Sequence, residues 1–293
     1  MTHCVFLVGA TGRIGTALLA QLAPDHSARR IHVKVGVHSP RSAALVTAQG
    51  MEAVDFDLDR SDTFDSALAG AEVIFLLRPY TLKQLMYGKL VADAAQRVGV
   101  KHLVTIGAYG RPCTPWSVIG WNFLVEAYVE RLGLGFTHLQ PNYFMDNVLA
   151  QRDANTATLN NRVTVPVSWI AASDIAAVSA AVLRNPTQHA GRVYPLASET
   201  ADVSEIALMM SEVTGRAHRV AVPPREQMMS RLLAQGREPE YAMALVEYVD
   251  AVSAGKVPEI ADTFDTVERV TGRAALRFRD FLQSELRTRT GSS

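Results

Sequence analysis

The chain opens with Val5-Phe6-Leu7-Val8, runs straight into Gly9-Ala10-Thr11-Gly12-Arg13-Ile14-Gly15, and continues with apolar residues at Ile14, Leu18, Leu19 and Leu22. The apolar run predicts a buried strand, and the spacing after the glycines predicts an amphipathic helix. Each glycine has its own physical task. Gly9 permits a sharp turn off the strand end, Gly12 leaves its backbone open to close approach, and Gly15 lets the helix pack on the strand. The helix N-terminus then offers unbonded N–H groups and the positive end of its dipole, which together favour a phosphate. Three glycines at this spacing, between a buried strand and a helix, point to a dinucleotide pyrophosphate. A tight strand–helix turn without a ligand is the weaker reading.

Composition sets the bounds. The 293 residues are 48% hydrophobic and 20% charged, an ordinary globular balance with enough apolar material for a large core and a smaller second domain. Lys plus Arg equals Asp plus Glu at 29 each, so nothing favours nucleic acid or an anionic membrane surface. No apolar run reaches the length of a membrane span. Cys4 and Cys113 form no CxxC pair and are expected as free thiols in a reducing, cytoplasmic setting, with no signal peptide ahead of the first strand.

The rest of the chain alternates strand and helix. Ile31 to Val37 predicts a second strand that ends at His38-Ser39-Pro40-Arg41. A site for the unphosphorylated dinucleotide would place Asp or Glu there for the ribose 2′-hydroxyl. This chain places His38, Ser39 and Arg41 there instead, with Arg13 nearby in the glycine turn, so the expected cofactor is NADP(H) rather than NAD(H). Met51 to Phe56 predicts a third strand, followed by Asp57-Leu58-Asp59. Asp57 suits an adenine amino group with Leu58 on the ring, and equally suits the N-cap of the helix expected over 61–68. Val73 to Leu77 is uniformly apolar, which predicts a strand buried on both faces. It stops at Arg78-Pro79-Tyr80, whose backbone is expected beside the nicotinamide half of the cofactor. A helix over 85–98 and a strand over 101–106 follow, and then Gly107-Ala108-Tyr109-Gly110.

Ordinary carbonyl-reducing short-chain dehydrogenases carry a Tyr with a Lys four residues on, the Lys lowering the Tyr pKa. No such pair exists here: Tyr80, Tyr87, Tyr109 and Tyr128 are followed at that distance by Gln84, Val91, Cys113 and Leu132. Three features nevertheless resemble the NmrA-like family of atypical short-chain dehydrogenases. They are the opening GATGRIG, a helix bearing Asn122 and Glu126, and the run Gly133-x-x-Phe136-Thr137-x-Leu139-x-Pro141-Asn142-x-Phe144-Met145-x-Asn147. The pattern is similar to triphenylmethane, type 2 quinone and festuclavine-type reductases within that family. The stretch from Glu238 to Val257 extends the likeness over nearly the whole chain.

The resemblance implies an NADP-binding Rossmann domain, a doubly wound parallel α/β sheet, with a smaller, mostly helical C-terminal domain. The expected limits are 1–150, also receiving roughly 163–198, and 199–293 for the lid. It implies that Gly9, Thr11, Gly12, Arg13, Ile14 and Gly15 hold the pyrophosphate, and that His38, Ser39 and Arg41 meet the 2′-phosphate. It assigns Leu77, Arg78, Gly107, Ala108, Tyr109, Pro141, Asn142, Tyr143 and Phe144 to the nicotinamide side. Many relatives carry His where this chain has Asn122, and an amide cannot act as an acid or base near neutral pH.

Trp116, Trp121, Asn122, Tyr143, Phe144 and Trp169 are the candidate substrate pocket, the aromatics being equally readable as core. Tyr109 is the candidate proton donor. No His, Cys, Asp and Glu grouping has metal spacing. Beyond residue 150 the expectations are a polar segment over 153–161, a short strand over 163–167, a helix to Leu183 capped by Ser173 or Asp174, and a strand at 192–196. Helices are expected at 204–214, 226–235, 240–253, 260–270 and 276–288, with an edge strand at 220–222. The expected activity is reduction of a conjugated small molecule by direct hydride transfer, in a monomer or homodimer without nucleic-acid or membrane partners. The alternatives are a non-catalytic NADP-binding sensor and a redox-neutral enzyme on the same fold.

Overall fold

A computed structural model of the chain describes residues 3–111 and 117–290. Strand and helix alternate strictly through the first half, in the order β1 (His3–Val8), α1 (Arg13–Ser27), β2 (Ile31–Val37), α2 (Pro40–Thr47), β3 (Glu52–Asp55) and α3 (Phe64–Leu68). There follow β4 (Val73–Leu76), α4 (Gln84–Arg97), β5 (His102–Ile106), α5 (Ser117–Arg131) and β6 (Gly135–Pro141). The second half contributes β7 (Tyr143–Phe144), α6 (Met145–Gln151), β8 (Arg152–Asp153), β9 (Thr158–Asn160), β10 (Val167–Ile170), α7 (Ala172–Arg184), β11 (Arg192–Leu196) and β12 (Glu199–Ala201). It ends with α8 (Val203–Thr214), β13 (Arg219–Ala221), α9 (Arg225–Ala234), α10 (Pro239–Ser253), α11 (Thr266–Thr271) and α12 (Phe278–Thr290).

Seven strands form the main sheet in the order β11-β6-β5-β4-β1-β2-β3, with β1 to β6 parallel to their neighbours. From β1 the chain winds outward to β3, then returns to the other side of β1 with β4. The two halves therefore diverge between the carboxyl ends of β1 and β4, where doubly wound sheets bind their ligands. β4 is buried at every residue, as its apolar run requires when helices cover both faces. Phe6, Phe56 and Phe64 anchor one face, with centroids 5.2 and 4.5 Å apart in sequence, beside Leu76, Leu103, Val125 and Val129.

The chain divides into two compact units. One comprises 1–108, 119–140 and 175–194 and holds the glycine turn; the other comprises 109–118, 141–174 and 195–293. The second unit thus takes up 141–174 as well as the C-terminal helices. It is mainly helical and also carries two three-stranded sheets, β12-β10-β7 and β13-β9-β8.

Several local expectations are corrected. The segment expected only as polar over 153–161 also holds a strand, β9, which pairs with β8 and β13. The strand expected over 163–167 lies instead at Val167–Ile170, beyond Pro166, which has no N–H to give to a ladder. Ser173 and Asp174 lie inside the first turn of α7 and do not cap it. Asp174 instead accepts the Leu276 N–H at 2.8 Å and lies 2.7 Å from Arg273. The helix expected over 260–270 is broken into a 3₁₀ turn at Pro258–Ala261 and α11, because Phe264 N–H is drawn to the Ala197 carbonyl at 2.8 Å. By contrast, α8 has the full capping signature: Asp202 accepts from Ser204 and Glu205 N–H, Glu205 bonds back, and Gly215 closes the helix in the left-handed region.

Candidate functional site

The glycine turn has the shape its three tasks demand. Gly9 sits at φ +80°, and a Cβ there would lie 2.4 Å from the Leu77 carbonyl oxygen at the end of β4. A Cβ on Gly15 would lie 2.3 Å from the Ala10 backbone, so only glycine lets α1 seat against the turn. A Cβ on Gly12 would meet nothing closer than the Gly9 oxygen at 3.9 Å. Gly12 faces open space, and it precedes α1 without any side-chain cap or first-turn acid to occupy the helix N-terminus. That open cradle, with free helix-end donors, fits a pyrophosphate. Thr11 and Arg13 are exposed beside it, while Ile14 is buried in the core.

At the end of β2, His38 and Arg41 are exposed. Ser39 is the N-cap of α2: its Oγ accepts the Ser42 N–H at 3.2 Å, with Pro40 in the first helical position. Asp57 does not cap the following helix. Its Oδ1 accepts Asp59 N–H at 3.0 Å and closes a local turn, and Leu58 packs on the apolar core. Asp59 in turn accepts from Lys83 Nζ at 2.7 Å and the Tyr87 hydroxyl at 2.8 Å, tying this loop to the start of α4.

Beyond β4, Leu77 N–H donates to the Val8 carbonyl at 3.2 Å and holds the two strand ends together. Arg78 turns inward and is 6% exposed. Its Nη2 donates to Asn122 Oδ1 at 2.9 Å and to the Ile106 carbonyl at 3.3 Å, while Nε and Nη1 have no hydrogen-bond partner among the described residues. Burial lowers the guanidinium pKa to about 10, against the opposing pull of Glu126. Asn122 therefore serves as an acceptor on α5. One turn further on, Glu126 Oε2 accepts Gln140 Nε2 at 2.7 Å. Its Oε1 has no partner among the described residues and occupies the space a side chain at Gly107 would need: a Cβ there would lie 2.2 Å away. Burial pushes the Glu126 carboxyl up to about 7, partly offset by Gln140 and Arg78. Trp121 lies half-buried on the same helix, and Gly107 and Ala108 are half-buried at the end of β5.

The remaining candidates belong to the second unit. Tyr109 N–H donates to the Pro141 carbonyl at 3.0 Å, and its hydroxyl donates to Asp262 Oδ2 at 2.7 Å. Burial, and then the Asp262 carboxylate, push the phenol well above its ordinary pKa. The ring meets Phe264 edge-on at 5.0 Å, and Arg111 pairs with Glu259 at 3.6 Å in the same segment. Pro141 is buried, and the Asn142 side chain is committed to the framework. Its Nδ2 donates to Ser168 Oγ at 2.7 Å and the Ile260 carbonyl at 2.9 Å, and its Oδ1 accepts Tyr143 N–H. Trp169 is 2% exposed, with Nε1 on the Ala201 carbonyl, so it is a core residue. It supports Tyr143 edge-on at 5.5 Å. The Tyr143 hydroxyl is buried without a partner among the described residues, and burial raises its pKa well above the ordinary phenol value. Phe144 is half-buried directly before α6. Trp116 lies outside the described residues.

Sequence reading missed Asp262, Gln140 and the Arg78–Asn122 bond. Tyr109 and Asp262 are 153 residues apart, and no local pattern links them. Among the described residues no three His, Cys, Asp or Glu side chains group to hold a metal ion, and no helix is long and apolar enough to cross a membrane.

Comparison with known proteins agrees with the fold. The model of the NmrA-like family matches residues 1–278. The NAD(P)H azoreductase of Xenophilus azovorans is 29% identical over 288 residues, covering 96% of this chain and 97% of the relative. The NADPH complex of the quinone oxidoreductase QOR2 from Escherichia coli shares the fold at a TM-score of 0.81 and 20% identity, over 96% of this chain and 99% of the other. The NAD complex of Nmra, a negative transcriptional regulator, shares it at 0.76 and 18% identity, over 100% and 98%.

Proposed function

The chain belongs to the NmrA-like family, and from that premise we propose that it is an NADPH-dependent reductase of conjugated small molecules: quinones, enones, imines or azo compounds. The observation that carries the reading is the glycine turn. Gly9 and Gly15 are sterically obligatory, Gly12 is open, and all three lie at the point where the strand order reverses. The azo class enters through the azoreductase relative.

The residues divide the work. Gly12, Thr11 and the N-terminus of α1 would hold the pyrophosphate. Arg13, His38 and Arg41 would hold the 2′-phosphate; no acid competes at the end of β2, which supports NADP(H) over NAD(H). Leu77, Gly107 and Ala108 would flank the nicotinamide half, with Arg78 bracing the backbone there. When bound, the reduced nicotinamide supplies the hydride. Rate enhancement then comes from orientation. The Tyr109 hydroxyl is directed to Asp262 and its pKa is raised, which supports a positioning role for Tyr109, with solvent supplying the proton to the product.

Following NADPH at 340 nm with a quinone, an iminium, an enone and an azo dye tests the proposal. Acceptor-dependent decay with at least one class is expected. No decay with any of them overturns the reductase reading. A cofactor-binding redox sensor is the second reading, favoured by the same commitment of the Tyr109 proton. It requires clearly different affinities for NADP+ and NADPH in the absence of turnover.

A further inference from the structure

The second unit contains a half-open cavity of about 260 Å³ that none of the preceding roles uses. It lies where α6 ends and β8 begins, and α9 forms the facing wall. Because α6 starts directly after Phe144 and has seven residues, the cavity is about 10 Å along the helix from Tyr143.

Two arginines line it, Arg152 of β8 and Arg231 of α9. Arg231 of α9 is half-buried, and its side chain has no partner among the described residues. Arg152 is held in orientation: its Nε donates to His218 Nε2 at 3.1 Å. His218 Nδ1 lies 2.8 Å from the Arg216 carbonyl, which can only accept. The histidine is therefore the neutral Nδ1–H form, a lone-pair partner for the arginine and not a rival charge. Burial lowers its pKa, consistent with that form. The one carboxylate in the lining, Asp153, is already answered by the backbone N–H groups of Asn155 and Thr156. Met228 and Pro223 supply an apolar surface, and Gln151 Oε1 is buried without a donor.

We propose that this cavity is a second small-molecule site, built for a single-ring aromatic acid that also carries a hydrogen-bond donor. The two guanidinium groups take the acid group. Met228 and Pro223 take the ring, and Gln151 takes the donor. The volume lies just under the roughly 300 Å³ at which pockets begin to hold drug-sized ligands, which limits the occupant to one ring.

Isothermal titration of the full chain with 4-hydroxybenzoate, 4-hydroxybenzamide and inorganic phosphate tests this. Saturable one-to-one binding of 4-hydroxybenzoate is expected, with the neutral amide and phosphate each about tenfold weaker or worse. Arg231→Gln is expected to weaken 4-hydroxybenzoate about tenfold while NADPH affinity is unchanged. Gln227→Ala, which truncates a lining residue on the exposed face of α9, serves as a second variant, expected to leave the fold intact and weaken the same ligand. Absence of saturable binding, equal binding of the amide or of phosphate, indifference to both substitutions, or competition with NADPH would each overturn the proposal.

Discussion

Gly12 and Gly15 stand three residues apart, yet their substitution has opposite consequences. Gly15→Ala pushes a methyl into the Ala10 backbone, a contact with no flexible side chain to yield. It is expected to cost about 1–3 kcal/mol by overpacking, read as a lowered denaturation midpoint. Gly12→Ala meets open space at an unstrained φ of −82°, so stability is expected to hold within about 0.5 kcal/mol. The same methyl stands where the pyrophosphate approaches, so NADPH affinity is expected to fall about tenfold or more. Equal loss of stability in both variants would contradict the distinction. Tyr109 yields a second expectation at this scale. Because its proton is directed to Asp262 and its pKa is raised, Tyr109→Phe should keep acceptor-dependent NADPH oxidation within several-fold of the parent. No ionisation limb from this phenol should enter the pH–rate profile below pH 10. A loss of a hundredfold or more would make Tyr109 the proton donor.

At the scale of the element, α5 is the informative helix. It carries Asn122 and Glu126 on one buried face, the first bound by Arg78 and the second by Gln140. Glu126 titrates near 7 in the fold against an ordinary 4.5, so the folded state holds a proton the unfolded chain has already released between those pH values. Stability therefore falls as pH rises from about 4.5 to about 7, by on the order of 3 kcal/mol, and levels off above. Glu126→Gln is expected to remove that slope and to raise the denaturation midpoint at pH 8 relative to the parent. Denaturant titrations at pH 5 and pH 8 check it; parallel pH dependences in both proteins would refute it. That Asn122 and Glu126 share a helix was legible, but the buried polar face they form was not. Arg78, Asn122 and Glu126 sit 44 and 4 residues apart, and a sequence window cannot see that they share one interior.

For the whole molecule, cofactor binding and global stability are linked. NADPH at a hundred times its dissociation constant is expected to stabilise the chain by about 2.7 kcal/mol, visible as a raised melting midpoint. Arg41→Ala is expected to weaken NADPH about tenfold, equivalent to about 1.4 kcal/mol, while NADH binding stays within twofold. Equal effects on both cofactors would remove Arg41 from the 2′-phosphate. Alternation of strand and helix was readable through residue 141 because each element carries its own periodicity and its own glycine or capping stop. It blurred after residue 150. There the strands β8 and β9 are two or three residues long and exist only by pairing with one another and with β13, whose edge strand was expected at 220–222, and the break before α11 depends on a carbonyl more than sixty residues away.

By itself, the sequence determined the alternation of strand and helix, the glycine turn between the first strand and the first helix, and the three glycine roles. These are local: each depends on a residue's own backbone freedom or on the period of its neighbours. Only the tertiary structure decided which polar groups remain available. It committed Asn142 to Ser168 and Ile260, Trp169 to the core, the Tyr109 proton to Asp262, and an unpartnered Glu126 oxygen to the space behind Gly107. Hydrogen bonds between residues far apart in the chain are made by packing, and packing is the information that local patterns do not hold.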